Sequence, residues 1–265
     1  MKKKVGNYNF IIGMILTGFI LILVIWGIIG TPYDTEAMDA TAKFEAPSFQ
    51  HIMGCDHFGR DIFSRVLVGC GTTLFVAILT VAIGMTAGVL IGAFTGYFGG
   101  VLDEVIMRIM DAMFAFPSIL LALVIISLMG RGTANVVLAL GIAFIPSFAR
   151  IVRSEFIRCK NMDYVKSARL CGAGHFRIMF VHILPNTMSV LLPSVMIGFN
   201  NAVLAEAGMS YLGVGVQPPY ASLGRMLSEA QSYIFAAPGY AIFPGLIIII
   251  MVLGFSLLSD GLKKE

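Results

Sequence analysis

The chain has 265 residues, of which 58% are hydrophobic and only 12% are charged, with a formal net charge of +3. An ordinary soluble domain carries about 25% charged residues, so this composition excludes a water-soluble globule and predicts an integral membrane protein. The four cysteines form no C-x-x-C pair, which argues against a zinc knuckle and a disulfide framework.

Six apolar runs separated by polar connections predict six transmembrane helices and an all-α, polytopic membrane fold. A helix of about 20 residues crosses a hydrocarbon core of about 30 Å. The first run is longer than the apolar core of a signal peptide and has no A-x-A-like cleavage site after it, so we predict a retained span. The predicted spans lie at about Phe10–Gly30, Gly71–Phe98, Val105–Met129, Ala134–Phe148, Ile183–Ala207 and Tyr240–Leu258.

Small residues and a proline predict how two of these spans are shaped. Gly84, Gly88, Gly92 and Gly96 recur every four residues in the second run. This spacing places them on one helix face and allows another helix to approach closely. Pro117 lies inside the third run and predicts a kink there.

The basic residues predict the orientation in the membrane. With six spans, 13 of the 18 Lys and Arg residues lie on one side. By the positive-inside rule that side is cytoplasmic, so we expect both termini and the polar segment 150–182 to face the cytoplasm. The polar connections 31–70 and 208–238 then face outward. The basic residues of the outer side are Lys43, Arg60, Arg65, Arg131 and Arg225.

Catalytic and cofactor motifs are absent from the sequence. It contains no G-x-x-x-x-G-K-[ST] loop for ATP, no H-E-x-x-H for zinc and no G-x-S-x-G for a nucleophile. We therefore predict that the chain is not an enzyme and binds no cofactor itself. A nucleic-acid partner is not predicted either, whereas membrane lipids are.

Three ionisable residues within the predicted spans are functional candidates, because charge inside a membrane is costly. Arg108 and Asp111 are three residues apart on the third span, which predicts an intramembrane ion pair. Glu206 lies near the outer end of the fifth span, where we expect it close to the lipid headgroups or acting as a gate. A proton-driven transporter would show more buried carboxylates or an inverted repeat.

Potential metal ligands occur in the outer segment. His51, Cys55 and His57 are borderline or soft ligands close together in sequence, and they are the candidates for a transient nickel contact. Spacing alone does not show that the three side chains converge. We therefore predict no metal site.

The stretch Asn161–Pro185 is a basic, polar segment with its own internal order. Met162–Cys171 predicts a short helix of about 10 residues, or roughly 15 Å, with Tyr164, Ala168 and Cys171 on one face.

Glycine and proline predict where that short helix ends and where the next span begins. Gly172 and Gly174 can adopt the left-handed conformations that end a helix and turn the chain back toward the membrane. Pro185 is expected to open the fifth span.

This segment resembles the cytoplasmic motif of ABC importer permeases, which reads E-A-A, three residues, G, nine residues, I, one residue, L-P. The spacing from Lys166 through Gly172 to Leu184-Pro185 matches that pattern. Lys166 replaces the usual Glu and His182 the usual Ile, so we predict that Asp163, on the same helical face as Lys166, supplies the acid.

Three other stretches are similar to the second permease type of peptide and nickel importers. One follows that group's L-G-T-D-x-x-G-R-D-x-x-S-R signature, with Met53 and Cys55 as departures from Leu and Thr. The stretches are Met53–Gly69, Met107–Pro117 and Ala207–Pro219.

In the family that the chain resembles, the cytoplasmic loop forms a coupling helix that docks on an ATPase subunit. The resemblance implies an ABC type I importer permease fold, with residues 1–70 as an N-terminal span plus outer segment and 71–265 as the permease domain. The residues it assigns to ATPase coupling are Asp163, Tyr164, Lys166, Ser167, Ala168, Gly172, Ala173, Gly174, Leu184 and Pro185.

The resemblance also implies a function and a set of partners. The chain would form half of a pathway for di- and oligopeptides in a bacterial inner membrane, paired with a second homologous permease. Two cytoplasmic ABC ATPases would bind ATP and Mg, and an extracytoplasmic binding protein would deliver the substrate. Import of nickel or a metal chelate is the alternative, and a channel or structural subunit without ATP coupling is the more distant one.

Overall fold

A computed structural model describes the backbone of residues 2–262 and the side chains of residues 8–261. The terminal lysines that contribute to the predicted orientation lie outside the described side chains. The α-helices are α1 (Lys2–Ile29), α2 (Ile62–Phe98), α3 (Gly100–Phe114), α4 (Ser118–Met129), α5 (Thr133–Cys159), α6 (Asp163–Leu170), α7 (His175–Arg177), α8 (Leu184–Tyr211), α9 (Leu223–Ala230) and α10 (Gly239–Leu262). A π-helical turn, Ile178–Ile183, joins α7 to α8, and a 3-10 turn, Gln231–Tyr233, follows α9.

The predicted all-α membrane fold is confirmed. Among the described residues, five helices or continuous helical runs are long and apolar enough to cross a membrane, or six if the pair α3 and α4, bent by 93° at its break, counts as one span. Pro117 sits between the two halves with φ −53° and ψ 130°. Because proline lacks a backbone N–H and disfavours the helical conformation of the residue before it, the third span breaks here instead of only kinking.

Three predicted span boundaries were too narrow. Helix α2 begins at Ile62 because the Asp61 carboxylate accepts a hydrogen bond from the Ser64 N–H at 2.7 Å and caps its N-terminus. The predicted domain boundary at residue 70 therefore falls inside a helix. Helix α5 continues to Cys159, and the run through α7 and α8 begins at His175, so the non-helical part of segment 150–182 is shorter than predicted.

Helices α1 and α10 run antiparallel and bring both described chain ends to one end of the bundle. Gly261 packs against Phe10, and Gly13 packs against the backbone of Leu258. At the other end, Gly27 of α1 packs against Leu67 of α2. Helix α2 therefore finishes at the same end as both described termini.

Helix α6 lies at that end too. Helices α2 and α5 finish next to each other, since the Lys160 ammonium donates to the Gly96 carbonyl at 3.0 Å. Helix α6 follows α5 after three residues. The segment 31–61 and helix α9 lie at the opposite end, which we call the outer end.

The glycine stripe of α2 packs against α5, as its spacing predicts. A methyl group on Gly88 would lie 2.6 Å from the Phe148 Cβ and 3.0 Å from the Ala149 nitrogen, and one on Gly96 would lie 2.7 Å from the Arg153 carbonyl oxygen. The two backbones approach so closely that only hydrogen fits between them.

Replacing Gly88 with alanine is expected to lower the free energy of unfolding by about 1–3 kcal/mol, because the added methyl group meets backbone that cannot move aside. Thermal unfolding of the purified protein in detergent measures the change. Gly18→Ala is the matched control, since nothing lies within 4 Å of a methyl group there. Equal midpoints for the two variants would show that the contact is not tight.

Candidate functional site

A cavity of about 550 Å³ lies where the break between α3 and α4 faces α5 and α8. Three Pro-Ser dipeptides from three helices meet there, and their serines, Ser118, Ser147 and Ser194, line the wall together with Asn201. Phe116 and Phe148 add aromatic surface. Among the described residues, no Asp, Glu, Lys or Arg lines the cavity.

The prolines explain why polar groups appear at this depth. A proline within a helix leaves a carbonyl group of the preceding turn without its N–H donor, and such backbone is tolerated in a membrane where it is buried in protein or faces a cavity. Pro146 and Pro193 lie inside α5 and α8. Sequence reasoning did not identify the lining residues, although the repeated Pro-Ser dipeptide was a usable signal.

Helix α6 projects from the end of the bundle opposite the outer end and is anchored on one side. Val165 is fully buried, whereas Leu170 is 90% exposed. Of the predicted face, Tyr164 and Ala168 are half-buried against the bundle, whereas Cys171 is exposed. The exposed side chains of α6 are Asp163, Lys166, Ser167, Arg169 and Leu170.

Asp163 and Lys166 pair on the exposed side of α6. The Lys166 ammonium donates to Asp163 Oδ1 at 2.9 Å, and this bond lowers the pKa of the Asp163 carboxyl. A fully exposed pair of this kind contributes little stability. Its effect is to place one negative and one positive charge side by side at the tip of the loop.

Gly172 ends α6 in the left-handed conformation, with φ +81°. The Gly172 N–H bonds the Arg169 carbonyl and the Ala173 N–H bonds the Ala168 carbonyl, both at 3.0 Å, which is a Schellman motif. Gly174, in contrast, has φ −69° and precedes α7 in an extended conformation. The prediction of a left-handed turn is correct for Gly172 and wrong for Gly174.

The connection from α6 into the membrane is helical and contains a π-helical turn. The Leu184 N–H bonds the Met179 carbonyl, a spacing of five residues. Pro185 follows directly and cannot donate a bond to the preceding turn, which favours such a widened turn. Leu184 and Pro185 therefore lie within a continuous run and do not open it. The buried side chains Ile178 and Ile183 fix the run in the bundle.

The predicted ion pair between Arg108 and Asp111 is wrong, because each residue has another partner. Arg108 donates to Glu104 at 2.7 Å, and Asp111 accepts from Arg150 of α5 at 2.7 Å. Glu104 lies four residues before Arg108, where an ion pair also forms within one helix. Arg108 and Asp111 are exposed, with 78% and 65% of their side chains accessible.

Glu206 is fully buried in protein and does not approach the headgroups as expected. The Ser210 hydroxyl donates to Glu206 Oε1 at 2.6 Å and accepts from the Val216 N–H at 3.0 Å. Glu206 Oε2 has no hydrogen bond among the described residues. The carboxyl is thereby linked to the outer segment that follows α8.

Comparison with known proteins places these features in a family. Residues 88–264 match the family described as binding-protein-dependent transport system inner membrane component. The chain belongs to this permease family. It is therefore an integral inner-membrane transport component that works with other transporter subunits, and it is not the catalytic subunit.

Two relatives of the permease align with it over most of its length. The permease is 43% identical to the glutathione transport system permease protein GsiD of Pectobacterium atrosepticum, over 92% of this chain and 83% of that protein. It is 38% identical to the dipeptide transport system permease protein DppC of Haemophilus influenzae, over 97% and 89%.

Solved structures of ABC transporters have the same fold. The inward-facing MetNI methionine ABC transporter matches with a TM-score of 0.62 at 17% identity, covering 74% of this chain and 93% of that chain. An amino acid ABC transporter with histidines matches with a TM-score of 0.59 at 23% identity, covering 75% and 92%. The predicted ABC importer permease fold is thus confirmed.

The outer end of the permease holds a buried ion cluster, which we call the outer ion cluster. Glu229 of α9 accepts from Arg60 at 3.0 Å, from Arg65 at 3.2 Å and from the Tyr240 hydroxyl at 2.8 Å. Arg60 also pairs with Asp56 at 2.7 Å. The cluster further includes Arg225, which donates to the second Glu229 oxygen at 3.1 Å.

The outer ion cluster explains several residues of the predicted signature. Asp56, Arg60 and Arg65 form it with α9 and α10, so the signature ties segment 31–61 to the end of the bundle. Sequence reasoning missed Glu229 and Tyr240. The two arginines that Glu229 binds from segment 31–61 and α2 are more than 150 residues away in the chain, and Tyr240 lies in a different helix from Glu229.

The three candidate metal ligands His51, Cys55 and His57 do not converge on one point. His57 stacks on Tyr233 with ring centroids 5.0 Å apart, and burial lowers its pKa. His51 and Cys55 do converge, and the third group beside them is Glu45. Burial raises the pKa of the Cys55 thiol to about 12.

Proposed function

We propose that this permease forms half of a translocation pathway for di- and oligopeptides and pairs with a second homologous permease. The observation that carries the proposal is that one continuous helical run, His175–Tyr211, follows the exposed helix α6 after four residues and leads to the wall of the cavity. Ser194 and Asn201 of α8 line the cavity, and α7 and the π-helical turn connect α8 to α6. Movement of α6 would therefore reshape the cavity.

A peptide substrate is supported by the relatives and by the chemistry of the cavity. The similar proteins are named for glutathione and dipeptide transport, and both cargoes are peptides. Serine hydroxyls and an asparagine amide suit the amide groups of a peptide, and the phenylalanines suit its apolar side chains. A wall that has no Asp, Glu, Lys or Arg among the described residues allows a zwitterion to pass without being held tightly.

We further propose that α6 docks on one of two cytoplasmic ATPase subunits, which bind ATP and Mg. The docking face consists of Asp163, Lys166, Ser167 and Leu170. Alternating access requires two states of the permease that differ in the position of α6. The closed ATPase pair shifts the equilibrium between these states only if it binds one of them more tightly than the other.

The end of the bundle that carries α6 is assigned to the cytoplasm by the positive-inside rule. Both described chain ends share it. The basic residues near α6 are Arg158, Lys160, Lys166, Arg169 and Arg177. The opposite end, with segment 31–61 and α9, would then receive substrate from an extracytoplasmic binding protein, and Glu206 would act as a gate by coupling α8 to that outer segment.

The test is reconstitution of the complete transporter with its binding protein in proteoliposomes. Stimulation of ATP hydrolysis and uptake by short peptides is the expected result. Stimulation by chelated nickel alone would overturn the peptide assignment. Substrate flux that needs no ATPase would overturn the coupled mechanism and favour a channel.

Ser147→Trp is expected to block the pathway, because an indole would fill much of the cavity beside α5. Ser147 is exposed in the described structure, so the larger side chain meets no packed core. The rate of peptide uptake should fall at least about tenfold, which corresponds to a rise of about 1.4 kcal/mol in the activation free energy of transport. The control is Ser127→Trp on α4, outside the cavity, which should transport normally. Equal uptake by both variants would place the pathway elsewhere.

A further inference from the structure

The outer segment brings together three side chains of the kinds that bind transition metals. Glu45, His51 and Cys55 each offer one ligand atom, and these atoms lie within 4.8 Å of one another. Cys55 is buried, with 1% exposure, whereas His51 is half-buried and Glu45 is exposed. The group therefore has a protein-lined base and an opening to solvent.

The imidazole of His51 is held in place by a second carboxylate. His51 Nδ1 lies 2.9 Å from Asp61 Oδ1, and the other oxygen of Asp61 caps α2 through Ser64. A carboxylate behind the histidine is the usual support for a metal-binding imidazole, because it fixes the ring and leaves the other nitrogen, Nε2, as the ligand. Tyr33 lies over the ring with centroids 4.6 Å apart.

The backbone also fixes the other two ligands relative to each other. The Cys55 N–H donates to the Glu45 carbonyl at 3.0 Å, and the Ser48 N–H donates to the His51 carbonyl at 2.9 Å. These bonds fold residues 45–55 into a closed loop. Binding a cation would therefore order little additional chain.

The local electrostatics favour a cation. The carboxylates of Asp39, Glu45, Asp56 and Asp61 all act on the Cys55 position. Asp56 is neutralised by Arg60. The carboxylates of Asp39, Glu45 and Asp61 remain as the negative groups that act on this position. A cation that binds as a thiolate complex displaces the thiol proton to solvent.

We propose that Glu45, His51 and Cys55 form a Zn²⁺ site that holds the outer segment closed, with water as the fourth ligand. One sulfur, one nitrogen and one carboxylate oxygen suit Zn²⁺ in tetrahedral geometry, whereas Mg²⁺ and Ca²⁺ prefer oxygen ligands alone. This proposal differs from the prediction of no metal site made from the sequence. Its third ligand is Glu45, whereas the sequence offered His57. It lies in the outer segment and is independent of the proposed peptide pathway.

Metal titration of the tag-free, full-length protein in detergent tests the site. After chelator treatment, one equivalent of Co²⁺ should produce thiolate-to-cobalt charge-transfer absorption that Zn²⁺ abolishes, and Zn²⁺ should raise the unfolding midpoint. Equal midpoint shifts with Mg²⁺ or Ca²⁺, or no bound equivalent of Zn²⁺, would overturn the proposal.

Two variants separate this site from other cysteines. Cys55→Thr should abolish the charge-transfer absorption and weaken Zn²⁺ binding at least about tenfold. Thr stands at this position in the signature that the segment resembles, so the fold should tolerate it, and the unfolding midpoint without metal checks this. Cys171→Ser removes an exposed thiol and should keep both signals. Charge-transfer absorption that persists in Cys55→Thr would show that the ligand is another cysteine.

Discussion

Glu229→Gln is expected to destabilise the outer end of the permease by about 3–5 kcal/mol, because the buried Arg60 and Arg65 then keep only the carboxylate of Asp56 between them. Arg60 and Arg65 have 6% and 1% of their side chains exposed, and both contact the same Glu229 oxygen. Glutamine keeps the shape and can still accept from Tyr240. The loss is therefore one of charge, not of packing, and thermal or denaturant unfolding in detergent measures it.

The matched control is Glu104→Gln, which removes a carboxylate from an exposed pair. Arg108 and Glu104 have 78% and 63% of their side chains accessible, so this change should cost no more than about 1 kcal/mol. A double variant, Glu229→Gln with Arg65→Met, should recover part of the loss, because it removes one of the uncompensated buried charges. Equal effects of the two single variants would show that the outer ion cluster is not a stabilising element.

The same carboxylate predicts a pH dependence. Burial would raise the pKa of Glu229, but Arg65, the Tyr240 hydroxyl and Arg60 outweigh it and hold the pKa below the ordinary value of 4.5. The ionised group thus contributes stability above about pH 4.5, and this is lost as pH falls through the lowered pKa. The difference in unfolding midpoint between wild type and Glu229→Gln should therefore shrink below pH 4.5, and a constant difference would contradict this.

The elements predicted from local sequence are the ones that local physics controls. Apolar run lengths gave the spans, Pro117 gave the position of the bend between α3 and α4 although only a kink was expected there, and Gly172 gave the end of α6. Each depends on residues within one or two helical turns. The boundaries were less accurate, because Asp61 caps α2 and the basic end of α5 stays helical through Arg158.

Long-range partners could not be predicted in the same way. Arg65 and Glu229 are 164 residues apart, and the cavity joins serines from three helices. The Arg108 prediction failed because two acids were within reach on one helix, and spacing alone does not choose between Glu104 and Asp111. Which face of α6 is anchored also depends on distant residues, since Val165 contacts a core whose position depends on the packing of the whole bundle.

Leu170→Asp is expected to detach the ATPase while leaving the permease folded. A leucine that is 90% exposed at the tip of a polar loop contributes nothing to the core of this chain, but it can fill an apolar pocket of a partner. Burying the unpaired aspartate carboxylate in such a pocket would cost about 2 kcal/mol or more. Co-purification with the ATPase should fall at least about tenfold, which corresponds to about 1.4 kcal/mol, and peptide uptake should fall with it.

The contrast with other positions shows whether docking, and not folding, is affected. Leu212→Asp introduces the same change at a leucine that is 60% exposed at the outer end, and it should leave ATPase association intact. Val165→Asp buries a charge beneath α6 and should lower the unfolding midpoint, which Leu170→Asp should not. Deletion of residues 163–172 should leave an inserted but detached permease. If Leu170→Asp co-purifies normally and the deletion does not, α6 docks through another face; if both co-purify normally, α6 is not the coupling helix.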